Sequence, residues 1–249
     1  MKSLLYVALG LTLVGTAANA ALNAGDGSLV GVGTLAGPRA PVSITQNFDT
    51  TTIEAVQVAC GVGGVYTTQN WYLRRFFLGD HMAPGNLTTS NVFFGVEQVD
   101  MADGSAPPAY SVNVNVYSID PADAFIFANL NLAGSTSAPV GAADEGSIKS
   151  AAVTALIVCG QDMVVAIDAP DGSLVGAGLQ FRPGANSAGA LYDAYIAAAD
   201  CGLTEPLAVS DIGFFDSQTI FVVDGDNDED CGGVPTEETT WGAIKNLYN

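Results

Sequence analysis

Basic residues are scarce in this 249-residue chain, which has seven lysines and arginines in all and one histidine, His81. Against them stand 26 acidic residues, and the formal net charge is −19 at pH 7. A surface of that charge repels the phosphates of nucleic acids and the headgroups of anionic membranes. The composition therefore predicts no nucleic-acid partner and favours a solvated, extracellular setting.

Sequence signatures of catalysis are equally scarce. His81 would have to be the base of any Ser-His-Asp triad, and no Gly-x-Ser-x-Gly elbow accompanies it. The chain also has no His-Glu-x-x-His zinc motif and no glycine-rich phosphate loop before a helix. The sequence leaves open a pair of carboxylates as in glycoside hydrolases, because their separation is set in space.

The one apolar run that resembles a targeting segment lies at the start of the chain. Lys2 precedes the apolar residues Leu4 to Val14, and Ala18-Asn19-Ala20 forms a small-residue cleavage site. The run is short for a bilayer span of about 20 residues. Residues 1–20 are therefore predicted to be a secretory signal peptide, which predicts a secreted or cell-surface protein with no membrane insertion.

Cysteine is limited to four positions, Cys60, Cys159, Cys201 and Cys231. An even number in an exported chain predicts two disulfides, and four cysteines allow three pairings. Metal ligation is the alternative, but the chain has no Cys-x-x-Cys pair and a single histidine. The spacing therefore favours disulfides and leaves their pairing open.

Short β-strand patterns are abundant. The strongest covers residues 70–78, where both alternating faces are mostly apolar, as in a strand that is covered on both sides. Further strands are predicted at 28–34, 44–48, 52–59, 90–99, 110–119, 125–131, 152–158, 163–167, 174–181 and 219–223. Gly, Pro, Asn and Asp separate them, which predicts an all-β domain over residues 21–223, a β-sandwich with a jelly-roll-like fold.

The last part of the chain, residues 224–249, has a different composition. Residues 224–240 are acidic and contain Gly and Pro, which predicts a linker. Trp241, Ile244, Leu247 and Tyr248 then fall on one face at helical spacing, which predicts a short C-terminal helix. Because exposed apolar faces are usually buried somewhere, docking on its own domain is favoured over docking on a partner.

The acidic linker also contains the candidate metal ligands Asp224, Asp226, Asp228 and Asp230. Oxygen ligands at alternate positions are what calcium requires, so calcium is the candidate cofactor. An EF-hand loop, however, needs Gly at its sixth position and Glu at its twelfth, and this segment has neither. A solvated acidic run is therefore the favoured interpretation.

Residues 60–78 contain the pattern Cys…Gly-Gly…Asn-x-Tyr-x-Arg-x-Phe, which resembles a poorly characterised β-sandwich module of secreted bacterial proteins, often appended to extracellular peptidases. Residues 92–97 with 112–117, 167–172, and 201–206 with 212–214 are similar to the same module. The resemblance implies an accessory role in binding or display. It also implies that Cys60 pairs with Cys201, which leaves Cys159 and Cys231 as the second disulfide.

Two sets of residues are candidates for specific roles. Arg74 shares a strand face with Tyr72 and Phe76, so in a core it would need a carboxylate or several carbonyls, and Glu97 is its predicted partner in a structural ion pair. A sugar-stacking platform is the second candidate, although aromatic residues at strand spacing belong more often to the core. Its four members are Trp71, Phe77, Tyr110 and Tyr117.

The sequence thus favours a secreted, non-catalytic binding or adhesion module, with a polysaccharide or a cell-surface component as its partner. A structural subunit of an extracellular layer or filament is the alternative, in which the acidic linker and the terminal helix would mediate self-assembly. A carboxylate-dependent hydrolase is the third interpretation.

Overall fold

The computed structural model describes residues 39–228 and residue 231. The predicted signal peptide, the predicted strand at 28–34, Asp230 and the predicted C-terminal helix lie outside these residues. In the part of the chain that is described, no helix is long and apolar enough to cross a membrane.

The described residues form short 3-10 turns and β-strands. The 3-10 turns are Leu78–Asp80, Phe127–Asn129, Ala142–Asp144, Gly172–Leu174, Ala199–Cys201 and Val209–Ile212. The strands are β1 Ala40–Thr45, β2 Gly61–Val62, β3 Tyr66–Thr67, β4 Asn70–Phe76, β5 Leu87–Met101, β6 Tyr110–Ile119, β7 Asn131–Val140, β8 Ser147–Ala152, β9 Leu156–Ile157, β10 Asp162–Ala169, β11 Leu179–Asn186, β12 Tyr195–Ala198, β13 Leu203–Ala208, β14 Gln218–Thr219 and β15 Phe221–Asn227.

Antiparallel pairing arranges these strands into two large sheets and a separate two-stranded sheet of β2 and β3. The first has the order β1-β15-β5-β11-β14, with β8 and β9 also paired to β5, and the second has the order β13-β12-β4-β10-β6-β7. One apolar core contains residues of both sheets, such as Phe94 and Phe181 from the first and Tyr72 and Ile167 from the second. The prediction of an all-β sandwich is therefore confirmed.

Strand β4 lies in the middle of the second sheet, between β10 and β12, as its sequence predicts. Tyr72 and Phe76 point into the core between the sheets. Leu73 points to the opposite, outer face, where a second and smaller apolar cluster forms. Residues 120–130, called the covering loop below, place Phe125, Phe127 and Leu130 against that cluster and shield it from water.

Several predicted elements are wrong in type or extent. Residues 52–59 form no strand, only an isolated bridge between Glu54 and Ala185. Residues 125–131 contain a 3-10 turn, and residues 174–178 precede the start of β11. The predicted linker does not begin at residue 224, because β15 continues to Asn227. In β15 the buried residues Val223, Gly225 and Asn227 alternate with the partly exposed Asp224 and Asp226, so the carboxylates stay in water.

Both disulfides follow the pairing that the resemblance implies. Cys60 is bonded to Cys201 and Cys159 to Cys231, with Cα–Cα distances of 6.0 and 5.2 Å. The first joins the segment before β2 to the turn between β12 and β13. The second fixes residue 231, which follows β15, beside the loop that leads into β10.

Candidate functional site

The four aromatic residues of the predicted platform occupy three different places. Trp71 and Tyr117 lie on the outer face of the second sheet, and both are partly buried. Tyr110 belongs to the core, and its hydroxyl donates to the carbonyl oxygen of Pro170 at 2.9 Å. Phe77 follows β4 and packs on Tyr192, with ring centroids 4.5 Å apart. The four residues therefore do not form one platform.

Trp71 instead lines a cleft of about 350 Å³, called the aromatic cleft below. Phe127 of the covering loop forms a second wall, and its ring meets the indole edge-on with centroids 5.4 Å apart. The remaining lining residues are mostly small or polar: Gln69, Asp171, Ala197, Ala198, Ala199, Asp200, Leu203 and Thr204.

Asp168 lies next to this cleft and accepts a hydrogen bond from one of its lining residues, Gln69. It is the cross-strand neighbour of Trp71 on one side and of Asn113 on the other. Its Oδ1 accepts a hydrogen bond from Gln69 Nε2 at 2.9 Å, and its Oδ2 accepts from Asn113 Nδ2 at 3.4 Å. The carboxylate therefore orients the Gln69 amide, which lines the cleft together with Trp71.

The covering loop is held in place by Arg75, which points to the outer face. Its guanidinium donates twice to Asp162 Oδ2, from Nη2 at 2.8 Å and from Nε at 3.0 Å, and both side chains are only 8 % exposed. It also donates to the carbonyl oxygens of Asp120, Pro121 and Asp123 at 3.1 to 3.2 Å. Asp162 thus orients the guanidinium, and the guanidinium fixes the start of the loop that carries Phe127.

A second contact fixes the end of the loop near the cleft. The backbone N–H of Phe127 donates to Glu205 Oε2 at 2.8 Å. Phe125 packs edge-on against Tyr195, with ring centroids 4.5 Å apart. The apolar run Phe125-Ile126-Phe127 is visible in the sequence, but it predicts a strand and not one wall of the aromatic cleft.

No family model matches the chain, and no curated protein or solved structure matches it either. The resemblance to the accessory module of secreted bacterial proteins therefore stays a prediction.

The predicted ion pair between Arg74 and Glu97 is wrong. The Arg74 guanidinium donates to the carbonyl oxygens of Tyr192 at 2.7 Å and Thr219 at 2.9 Å, and to Gln218 Oε1 at 3.3 Å. Arg74 thus uses several oxygen acceptors without charge in place of a carboxylate. Arg74 is fully buried, and this burial lowers its pKa to about 10.

Glu97 lies beside a different arginine. Its Oε1 is 3.7 Å from Arg182 Nη1, and its Oε2 accepts a hydrogen bond from the backbone N–H of Gln57 at 3.0 Å. Burial nevertheless raises the pKa of the Glu97 carboxyl, with the hydrogen bond and Arg182 acting in the opposite direction. The two side chains predicted to pair thus have separate partners.

The candidate metal ligands are dispersed. Asp224 and Asp226 alternate along β15, and the Asp228 carboxylate accepts two hydrogen bonds from Asn86, one from its backbone N–H and one from Nδ2, each 2.8 Å. Within residues 39–228 and 231, no three His, Cys, Asp or Glu side chains lie close enough together to hold a metal ion. Calcium binding stays a prediction, since Asp230 lies outside the described residues.

His81 is half-buried after the 3-10 turn that follows β4. Burial lowers its pKa, and Asp80 acts in the opposite direction. Its ring lies 6.2 Å from that of Phe76, and Nε2 has no hydrogen-bond partner among the described residues. This geometry places the imidazole against an aromatic ring, where it packs as an apolar group would.

Proposed function

We propose that this protein is a secreted, non-catalytic binding module that holds a carbohydrate in the aromatic cleft. The observation that carries the proposal is the partly exposed Trp71 ring, which lines the cleft with Phe127 and with Gln69, whose amide donates to Asp168. Sugar rings present C–H groups that pack on flat aromatic surfaces, and hydroxyls that bond to amide and carboxylate groups. A concave site with apolar walls and a few fixed polar groups is the general form of a small-ligand site.

The charge of the cleft narrows the ligand class. Asp171 and Asp200 line it, and none of its described lining residues is basic. The chain as a whole carries a net charge of −19. Neutral sugars and amino sugars are therefore compatible with the cleft, whereas uronic acids and sulfated sugars would be repelled.

The proposed setting is outside the cytoplasm. Two disulfides fit an oxidising compartment, and residues 1–20 have the sequence of an export signal. We also propose that the module attaches to a cell surface through such a glycan. Its strand order is proposed to be jelly-roll-like, and its acidic segment is proposed to bind calcium. Measurements with calcium and with a chelator test the last of these.

The experiment is retention of the protein on three insoluble polysaccharides: cellulose, which is neutral, chitosan, which carries amino groups, and cross-linked alginate, which is acidic. We expect saturable retention on cellulose or chitosan and none on alginate. Trp71→Ala should abolish that retention. Phe93→Ala is the matched control, because Phe93 is a partly exposed aromatic residue on β5 of the opposite sheet.

No saturable retention on any of the three matrices would contradict carbohydrate binding. Retention that Trp71→Ala and Phe93→Ala reduce equally would contradict the placement of the site in the aromatic cleft. Retention on alginate alone would contradict the ligand class while leaving a glycan as the ligand.

One observation favours self-assembly as a second candidate function. Four large apolar side chains are exposed on the loops around β14, namely Phe48 at 66 %, Leu191 at 55 %, Phe214 at 46 % and Phe215 at 70 %. Hydrogen bonds join these loops, since Asn47 donates to the Gln218 carbonyl and Gln218 donates to the Phe215 carbonyl. Grouped apolar residues on a surface commonly mark an interface between proteins.

Sedimentation across a dilution series tests this candidate. Self-assembly predicts that the mean mass rises with concentration and that a Phe48→Ser, Phe215→Ser double variant stays monomeric. A parent protein that is monomeric throughout would exclude this surface as a self-association site under those conditions.

A further inference from the structure

A second concave surface lies apart from the aromatic cleft and shares no lining residue with it. This apolar groove has a volume of about 400 Å³ and is lined mainly by Phe77, Leu78, Met82, Pro84 and Pro121. Among its described lining residues the one with a charge is Asp162, which is already paired with Arg75. The groove therefore offers apolar surface and shape, without free charge, to an occupant.

The chain itself arrives at the rim of this groove. Cys159 is one of the lining residues, and its disulfide fixes Cys231 beside it. Just before that, Asn227 Nδ2 donates to the carbonyl oxygen of Ala83, another lining residue, at 2.9 Å. Residues 232–249 thus continue from a point that is covalently attached to the groove.

Residues 232–249 include large apolar side chains, which suit an apolar groove. Trp241, Ile244, Leu247 and Tyr248 recur at a spacing that would place them on one helical face. From Cys231 to Trp241 the chain can span up to about 33 Å when extended, more than enough to reach a groove that begins at its point of attachment. The disulfide also raises the local concentration of the segment at the groove.

We propose that residues 232–249 dock on their own domain by placing Trp241 and its apolar neighbours in this groove. The segment would then cover apolar surface at one end of the two central strands of the second sheet, where β4 ends and β10 begins. The proposal does not depend on carbohydrate binding, because the groove and the aromatic cleft are separate surfaces.

Tryptophan fluorescence tests the proposal directly, because Trp71 and Trp241 are the only tryptophans of the chain. In a full-chain Trp71→Phe variant, all tryptophan emission comes from Trp241. Quenching is measured with acrylamide, which is uncharged and so is not repelled by an acidic protein. Ala83→Glu, in the same background, places a charge in the groove at an exposed position. Ala102→Glu is the matched control, since Ala102 is exposed at the other end of β5.

We expect blue-shifted emission and weak quenching in the Trp71→Phe protein at every concentration. Ala83→Glu should shift the emission to longer wavelength and raise the quenching constant, and Ala102→Glu should change neither. Emission at the wavelength of free tryptophan in the Trp71→Phe protein itself would overturn the proposal. Shielding that appears only as concentration and mass rise together would also overturn it, in favour of a groove occupied by a second copy of the chain.

Discussion

Two adjacent arginines of β4, Arg74 and Arg75, satisfy their charge in opposite ways on opposite faces of one sheet. Arg74 lies in the core and donates only to neutral oxygens, those of Tyr192, Thr219 and Gln218. Arg75 lies on the outer face and donates to a carboxylate, that of Asp162, as well as to three carbonyls. Both are buried, at 0 % and 7 % exposure.

The difference shows that the burial of a guanidinium does not by itself predict a carboxylate partner. On the inner face, Arg74 of the second sheet donates to the loop before β12 and to strand β14 of the first sheet, and so joins the two sheets. On the outer face, the ion pair holds down the covering loop and so positions Phe127 beside Trp71. The inner arginine is thus structural, and the outer one supports the candidate site.

The largest expected effect comes from removing the inner cation. Arg74→Met should lower the free energy of unfolding by about 3 kcal/mol, because three charge-assisted hydrogen bonds are lost in the core. The Tyr192 carbonyl then has lost its Arg74 donor, while the Thr219 carbonyl and Gln218 Oε1 keep the donors Asn47 and Ala194. Urea denaturation measures the loss. Arg39→Met, at an exposed position, is the control and should change stability by less than about 0.5 kcal/mol. An Arg74→Met variant as stable as the parent would contradict the structural role of Arg74.

The outer pair should show a smaller effect on stability together with an effect on binding. Asp162→Asn removes the carboxylate and leaves Arg75 with neutral acceptors only, and we expect a loss of about 2 kcal/mol. Retention on polysaccharide should weaken as well, because Arg75, which donates to the carbonyls of the covering loop, is then held less firmly. Asp144→Asn, which breaks the more exposed pair with Lys149, should cost less than about 0.5 kcal/mol.

The Asp162→Asn variant also tests whether Arg74 and Arg75 differ in their need for a carboxylate. If carbonyls alone can satisfy Arg75 as they satisfy Arg74, Asp162→Asn will be nearly neutral. That outcome would contradict the anchoring role assigned to the ion pair.

The smallest expected effect concerns Glu97, the carboxylate that Arg74 does not use. Burial raises its pKa in the folded protein, so the folded state binds a proton more tightly than the unfolded chain. The stability of the parent therefore falls as the pH rises from the unfolded pKa through the folded pKa. Glu97→Gln removes that fall and should be more stable than the parent at pH 7 by less than about 1 kcal/mol.

Urea unfolding of both proteins at acidic and neutral pH measures this difference. The advantage of the Glu97→Gln variant should disappear where the Glu97 carboxyl of the parent is protonated in both states. A Glu97→Gln variant that is less stable than the parent at neutral pH would mean that the attraction of Arg182 outweighs the cost of burial.

The sequence predicted those parts of the fold whose signal is local. The aromatic stretch of β4 and the alternating valines of β6 became strands in the middle of a sheet, because one period of alternation decides which side chains are buried. Strand β7 was missed, since Asn131–Val140 contains Gly, Ser and Pro and has little apolar alternation. Its antiparallel pairing with β6 makes it a strand, although its own composition does not predict one.

The candidate site was predictable only in part, for a related reason. Trp71 could be named because an aromatic residue is visible in the sequence. Phe127 could not be assigned to the same site, since its position depends on the contacts of Arg75 with the covering loop. The partners of Arg74 were equally hidden, because every residue carries a carbonyl and only the tertiary fold selects which ones meet.

The most direct test of the binding site uses Trp71 itself as the probe. In a Trp241→Phe variant, all tryptophan emission comes from the aromatic cleft. Soluble cello-oligosaccharides, chitosan oligosaccharides and alginate oligosaccharides are titrated separately. A carbohydrate site predicts a saturable change in Trp71 emission with a neutral or amino sugar, and none with alginate. The contradicting result would be a protein that is still retained on polysaccharide but whose Trp71 emission no oligosaccharide changes. The aromatic cleft would then not be the binding site.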